Sequence, residues 1–118
     1  MARRLIPADS QQVATALAAY GEGAASREDL KLLVKHHLAL LQERAPGASV
    51  EVRVPPYAAV QCIAGVRHTR GTPPAVIEMD AGTWLDLALG RLAWQQAIDA
   101  GRVRASGERT DLATLLPL

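Results

Sequence analysis

Two short apolar helical runs near the C-terminus each stop at a glycine, and a basic strand follows at once. From position 79 the chain reads Met-Asp-Ala-Gly-Thr-Trp-Leu-Asp-Leu-Ala-Leu-Gly, then Arg-Leu-Ala-Trp-Gln-Gln-Ala-Ile-Asp-Ala-Gly, then Arg-Val-Arg-Ala. Asp80 suits a helix N-cap, where its carboxylate can accept from free backbone N–H groups. Gly90 and Gly101 can each take the left-handed conformation that ends a helix without a Cβ penalty. At Arg102 the hydrophobic period drops from helical to two, with Val103 and Ala105 on one side and the arginines on the other. A chain that changes period in this way must pack helices against a sheet.

The rest of the chain obeys the same logic. Asp9 caps a first helix carrying Val13, Leu17 and Tyr20, with Gln12 as the reciprocal partner and Gly21 at its end. Ser26 caps the strongest helix. Its buried stripe is Leu30, Leu33, Val34, His37, Leu38 and Leu41, with Glu28 and Asp29 in the first turn and Arg44 in the last. Pro46-Gly47 stops it. Val50, Val52 and Val54 alternate with Glu51 and Arg53 as a half-buried strand, broken by Pro55-Pro56. A second strand over 57–66 is apolar at nearly every position and reads as central. A polar loop over 67–74 leads to a third strand with Ile77 and Met79 on one face. Thr110 can cap a last apolar turn through Leu112, Leu115 and Leu116, which Pro117 ends. The order ααβββααβα favours an α+β fold, with an antiparallel sheet of four to five strands covered on one face by helices.

At 118 residues the chain is one domain, 1–118, with 1–8 as a flexible leader. A net charge of +1 offers no global attraction for nucleic acid. The lone cysteine, Cys62, excludes an intrachain disulfide and fits a reducing cytoplasm. Neither a signal peptide nor a membrane-spanning stretch is present, so no integral membrane association is expected. Phe is absent, so the core must come from Leu, Val, Ile and Ala, which permits a cavity without demanding one.

The series Ile77 to Met79, Asp80, Trp84 to Gly90, Trp94 to Gly101, Arg102 to Ala105, Gly107, and Leu112 to Leu116 resembles the C-terminal half of the sterol carrier protein family. The stretches 53–62 and 67–74 are similar to a short actinobacterial branch of it. The resemblance implies a sterol-carrier-type fold and a non-catalytic module that binds a hydrophobic small molecule, such as a fatty-acyl lipid, between helices and sheet. The side chains implied at that site are Leu33, His37, Leu41, Trp84, Leu85, Ala88, Trp94, Leu112 and Leu116. Periodicity alone leaves them equally able to fill a plain core. Two other readings stay open. One is an interaction module with a filled core, including a homodimer formed through a sheet edge or apolar patch. The other is an accessory to a thiol-dependent isomerase-type enzyme.

Other candidate chemistry is sparse. His36 and His37 are adjacent and point about 100° apart, whereas metal ligands on one helix face need a spacing of three or four. His37 falls inside the apolar stripe. It is either a core residue with a hydrogen-bond partner or a polar tip that orients a ligand. Arg67, His68 and Arg70 are either a solvated loop or a headgroup or partner contact. No catalytic residue, metal site or cofactor is indicated. Cys62 has no base near it in sequence, and no phosphate-binding or nucleophile motif occurs.

Overall fold

A computed structural model describes residues 4–65, 75–107 and 110–118. The elements in order are α1 (Ser10–Gly21), α2 (Arg27–Arg44), β1 (Val50–Val54), β2 (Ala58–Cys62), β3 (Ala75–Met79), α3 (Ala81–Ala88), α4 (Trp94–Asp99) and β4 (Val103–Ser106). Helix starts follow their caps. Asp9 accepts from the N–H groups of Gln11 and Gln12, and Asp80 accepts from Thr83. Ser26 and Asp29 form a full capping box. Gly90 (φ 79°) and Gly101 (φ 70°) lie in the left-handed region just past the ends of α3 and α4.

The four strands form one sheet in the order β2-β1-β3-β4. Val50–Val54 and Val103–Ser106 therefore share it, as the α+β reading requires. Two of the three pairings are antiparallel, β1 with β2 and β3 with β4. The middle pairing, β1 with β3, is parallel, with Val50 opposite Ala75 and Val52 opposite Ile77. The sheet is thus mixed rather than wholly antiparallel. β3 lies on the far side of β1 from β2.

The expected central strand over 57–66 is instead an edge strand over Ala58–Cys62. Its apolar run owes much to alanine, which raises hydropathy while burying little area. Only Val60 and Cys62 of this strand are fully buried. The strand ends where Ile63 turns to φ 66°. The polar loop over 67–74 lies outside the described residues. The last apolar run is a turn, not a helix. Leu115 N–H donates to the Leu112 carbonyl, and Asp111, not Thr110, accepts from the turn through the Ala113 N–H.

Alternation sets the two faces of the sheet. Val50, Val52, Val54, Val60, Cys62, Ile77 and Met79 join the helices in one core. Glu51, Arg53 and Glu78 occupy the intervening positions, where Arg53 bonds Glu51. Helix α2 packs on β2 and α3, α1 packs on α2, and α4 packs beside β4.

Candidate functional site

Most of the residues placed on buried faces by periodicity converge inside this core. Leu33 and Leu41 come from α2, Trp84, Leu85 and Ala88 from α3, and Leu112 from the C-terminal turn, all 0% exposed. A side chain lining a void that admits water keeps some accessible area, and these keep none. They are packed interior. Trp84 joins the layers through its Nε1, which donates to the Val34 carbonyl at 3.3 Å. His37, also buried, directs Nδ1–H at the Leu33 carbonyl one turn back, at 2.8 Å. Burial lowers its pKa, and the Leu33 carbonyl opposes that shift without cancelling it.

Trp94 and Leu116 are placed differently. They meet at the surface, in an open groove of about 540 Å³ with Leu87, Leu92 and Pro117. The groove exists because the chain reverses sharply at Gly90. Arg91 and Leu92 N–H groups both donate to the Asp86 carbonyl, at 2.8 and 3.2 Å, which fixes the reversal. Gln96 accepts from the Ala93 N–H at 2.9 Å and starts α4 with Trp94 turned inward. The opposite wall is the C-terminal tail. Arg44 Nη1 donates to the Leu115 and Pro117 carbonyls at 2.8 and 2.7 Å, and Leu118 N–H donates to the Ala88 carbonyl at 3.0 Å. The last-turn arginine of α2 and the end of α3 thus hold the tail in place. The rim carries Arg91, Gln95 and Gln96. Arg91 lies over the Tyr20 ring at 5.6 Å and has no carboxylate within ion-pair distance among the described residues.

A polar network backs α3. Tyr20 donates to Asp86 Oδ1 at 2.9 Å, Arg102 Nε donates to Thr83 Oγ1 at 3.0 Å, and Arg102 Nη2 stands 3.8 Å from Asp86. Burial, reinforced by the Asp86 hydrogen bond and charge, pushes the Tyr20 phenol up to about 12. Hydrogen bonds from Thr83 hold the Asp80 carboxyl below its usual range. Every member has a structural partner, so the network anchors α3 to α1 and β4.

Cys62 is a free, buried thiol pushed up to about 12 by desolvation. No cluster of three or more metal-ligating side chains occurs among the described residues, and no described helix is long and apolar enough to cross a membrane. Arg67, His68 and Arg70 lie outside the described residues. Sequence reasoning missed Leu87, Arg91, Leu92 and Pro117 as groove residues. The available signal was Leu87-Ala-Leu-Gly-Arg-Leu92, whose apolar character continues past the helix stop.

Residues 26–118 match a family described as "Bacterial SCP ortholog". Among solved structures, sterol carrier protein 2-like 2 from Aedes aegypti is similar at 16% identity, over 91% of this chain and 94% of that chain, with a TM-score of 0.36. No curated protein matches the chain.

Proposed function

Because the chain belongs to the bacterial ortholog family of sterol carrier proteins (SCP), we propose that it is a non-catalytic binder of a hydrophobic small molecule of fatty-acyl type, which enters beside Trp94 and Leu116. The observation that carries this reading is the groove itself. At about 540 Å³ it falls within the roughly 300–1,000 Å³ range of small-molecule sites, with an apolar floor and a few polar groups at the rim. Leu33, Leu41, Trp84, Leu85, Ala88 and Leu112 lie in the sealed interior. They become ligand contacts only where the tail leaves the Ala88 carbonyl. His37 supports the helix and takes no part in orienting the ligand. The buried free thiol of Cys62 suits a reducing cytoplasm.

Magnitudes assign a role to Arg91. Burying about ten methylenes contributes roughly 8 kcal/mol. Lost freedom on association removes at least about 4 kcal/mol, leaving a millimolar complex. A charge-assisted hydrogen bond from Arg91 to a carboxylate adds about 2 kcal/mol and brings Kd to tens of micromolar. A medium-chain acid should therefore bind better than its matched alcohol. Calorimetric titration tests this. Arg91→Gln should weaken the acid by up to about thirtyfold and leave the alcohol unchanged, and Leu116→Asp should weaken both. No binding of any acyl probe up to its solubility limit would overturn the proposal.

The packed interior favours a second reading, an interaction module. That reading predicts no acyl binding together with a stable oligomer or partner complex in light scattering.

A further inference from the structure

Ahead of α1, residues 4–8 lie along α2 and are tied to it twice. Leu5 N–H donates to Gln42 Oε1 at 3.0 Å, and Ala8 N–H donates to His36 Nδ1 at 3.0 Å. Within the stretch 1–8 that the sequence reads as flexible, residues 4–8 make these two backbone hydrogen bonds to α2. Leu5 and Ala8 are partly buried against the core, while Ile6 between them is 84% exposed. The Gln42 amide also donates to the Gln61 carbonyl at 3.3 Å, so one side chain links this segment, α2 and β2.

Both donors are backbone amides, so the polarity of each bond is settled by chemistry. A ring nitrogen that accepts must keep its lone pair, so His36 is neutral with its proton on Nε2. We infer that residues 4–8 form an acid-released strap: protonation of His36 at Nδ1 sets two N–H groups against each other and frees the segment from α2.

The surroundings of His36 support a switch of this kind. On its own helix Glu43 favours the imidazolium, and the His37 ring stands edge-on with centroids 5.0 Å apart. On the strap side Arg4 is exposed, and the Asp9 carboxylate is turned onto Gln11 and Gln12. On β2, which packs against α2, Gln61 carries no charge, and Cys62 stays a thiol at neutral pH. Burial disfavours the imidazolium and outweighs Glu43, so the latch holds at neutral pH. Once the strap leaves, His36 meets water and titrates near its ordinary value of 6.5. Linkage then raises the released population up to about tenfold between pH 7.5 and 5.5. Acid therefore bares the core face under Leu5 and Ala8 and frees a segment carrying Arg4, Leu5 and Ile6. The device does not depend on what the groove binds.

Amide hydrogen exchange tests the strap, with rates corrected for intrinsic pH dependence. Between pH 7.5 and 5.5 the protection of Ala8 should fall by up to about tenfold while staying well below that of Ile77, which reports global opening, so that the strap is released from a folded domain. His36→Asn keeps an acceptor at the Nδ1 position at every pH, and should hold Ala8 protection constant over this range. Protection of Ala8 that does not change with pH in the unmodified protein overturns the proposal. So does an undiminished pH dependence in His36→Asn. Nitrogen NMR of the histidine rings gives a check that needs no variant: a proton on His36 Nδ1 at pH 7.5 would also overturn it.

Discussion

His36 and His37 are consecutive on α2 with rings edge to face at 87°, yet they hold opposite tautomers. His36 Nδ1 accepts from the Ala8 amide, whereas His37 Nδ1 faces the Leu33 carbonyl and must donate. The pair therefore responds unequally to acid. A second proton on His37 goes to Nε2 and leaves its helix bond intact. A second proton on His36 destroys the bond to the strap.

Both imidazoles have folded-state pKa values lowered chiefly by burial. Below 6.5 the unfolded chain binds more protons than the folded one, so stability rises with pH across the window just below that value and is lost as pH falls through it. Urea denaturation at pH 7.5, 6.5 and 5.5 should show a falling midpoint with little change in slope. Combining His36→Asn with His37→Leu should flatten the dependence.

His37→Leu alone should be tolerated at neutral pH, with a change within about 1 kcal/mol. The Leu33 carbonyl sits inside α2 and keeps its backbone partner when the ring is removed, so no buried acceptor is orphaned. His37→Asp forces a carboxylate into a site 5% exposed and should cost several times as much. Thermal and urea melts of the two variants give the comparison.

Gly47 has no tolerance for a side chain. At φ 148° its Cβ would stand 2.2 Å from the Ile63 carbonyl oxygen and 2.4 Å from the Ala64 nitrogen. That backbone is pinned. The Ile63 carbonyl accepts from the Ser49 N–H and Oγ at 3.0 and 2.7 Å, and its N–H donates to Ala45 at 2.7 Å. Gly47→Ala should cost about 3 kcal/mol or more. Gly23→Ala, at φ 71° with nothing within 4 Å, should cost only about 1 kcal/mol. Chemical denaturation of the two variants side by side separates collision from conformational preference.

Tyr20 gives the alkaline counterpart. Its folded-state pKa is raised to about 12, mainly by burial and then by Asp86, against 10.0 for a free phenol. Stability from this group is complete below pH 10 and declines as pH rises toward 12. Tyr20→Phe should remove that decline and cost about 1 kcal/mol at neutral pH. Absorbance titration should show one tyrosine ionising near 12 in the folded protein and at the ordinary value in urea.

Local chemistry made part of this structure legible. Asp9, Ser26 and Asp80 are cap residues by type and cap as expected, and Gly90 and Gly101 end helices because only glycine is unstrained there. The alternation of Val50, Val52 and Val54 marks an inner face in any sheet. It does not say which strand lies alongside, nor in which direction, so the parallel β1–β3 pairing and the edge position of β2 were hidden. The candidate site divides on the same line. The period placed Leu33, Trp84 and Leu85 inward, and they are inward. Whether facing side chains touch or leave space depends on the distance between layers, which no period records. Trp94 and Leu116 line a groove because a glycine reversal and a tied tail meet there, and those contacts span distant parts of the chain.

The two tryptophans report on separate events. Trp84 is sealed in the core with its indole N–H on the Val34 carbonyl, while Trp94 forms part of the groove wall. With no phenylalanine and two tyrosines, these indoles dominate the ultraviolet emission of the chain. One component follows the integrity of the fold, and the other follows whatever occupies the groove. A molecule that enters beside Trp94 perturbs the second and spares the first, so folding and occupancy can be read from one unlabelled spectrum.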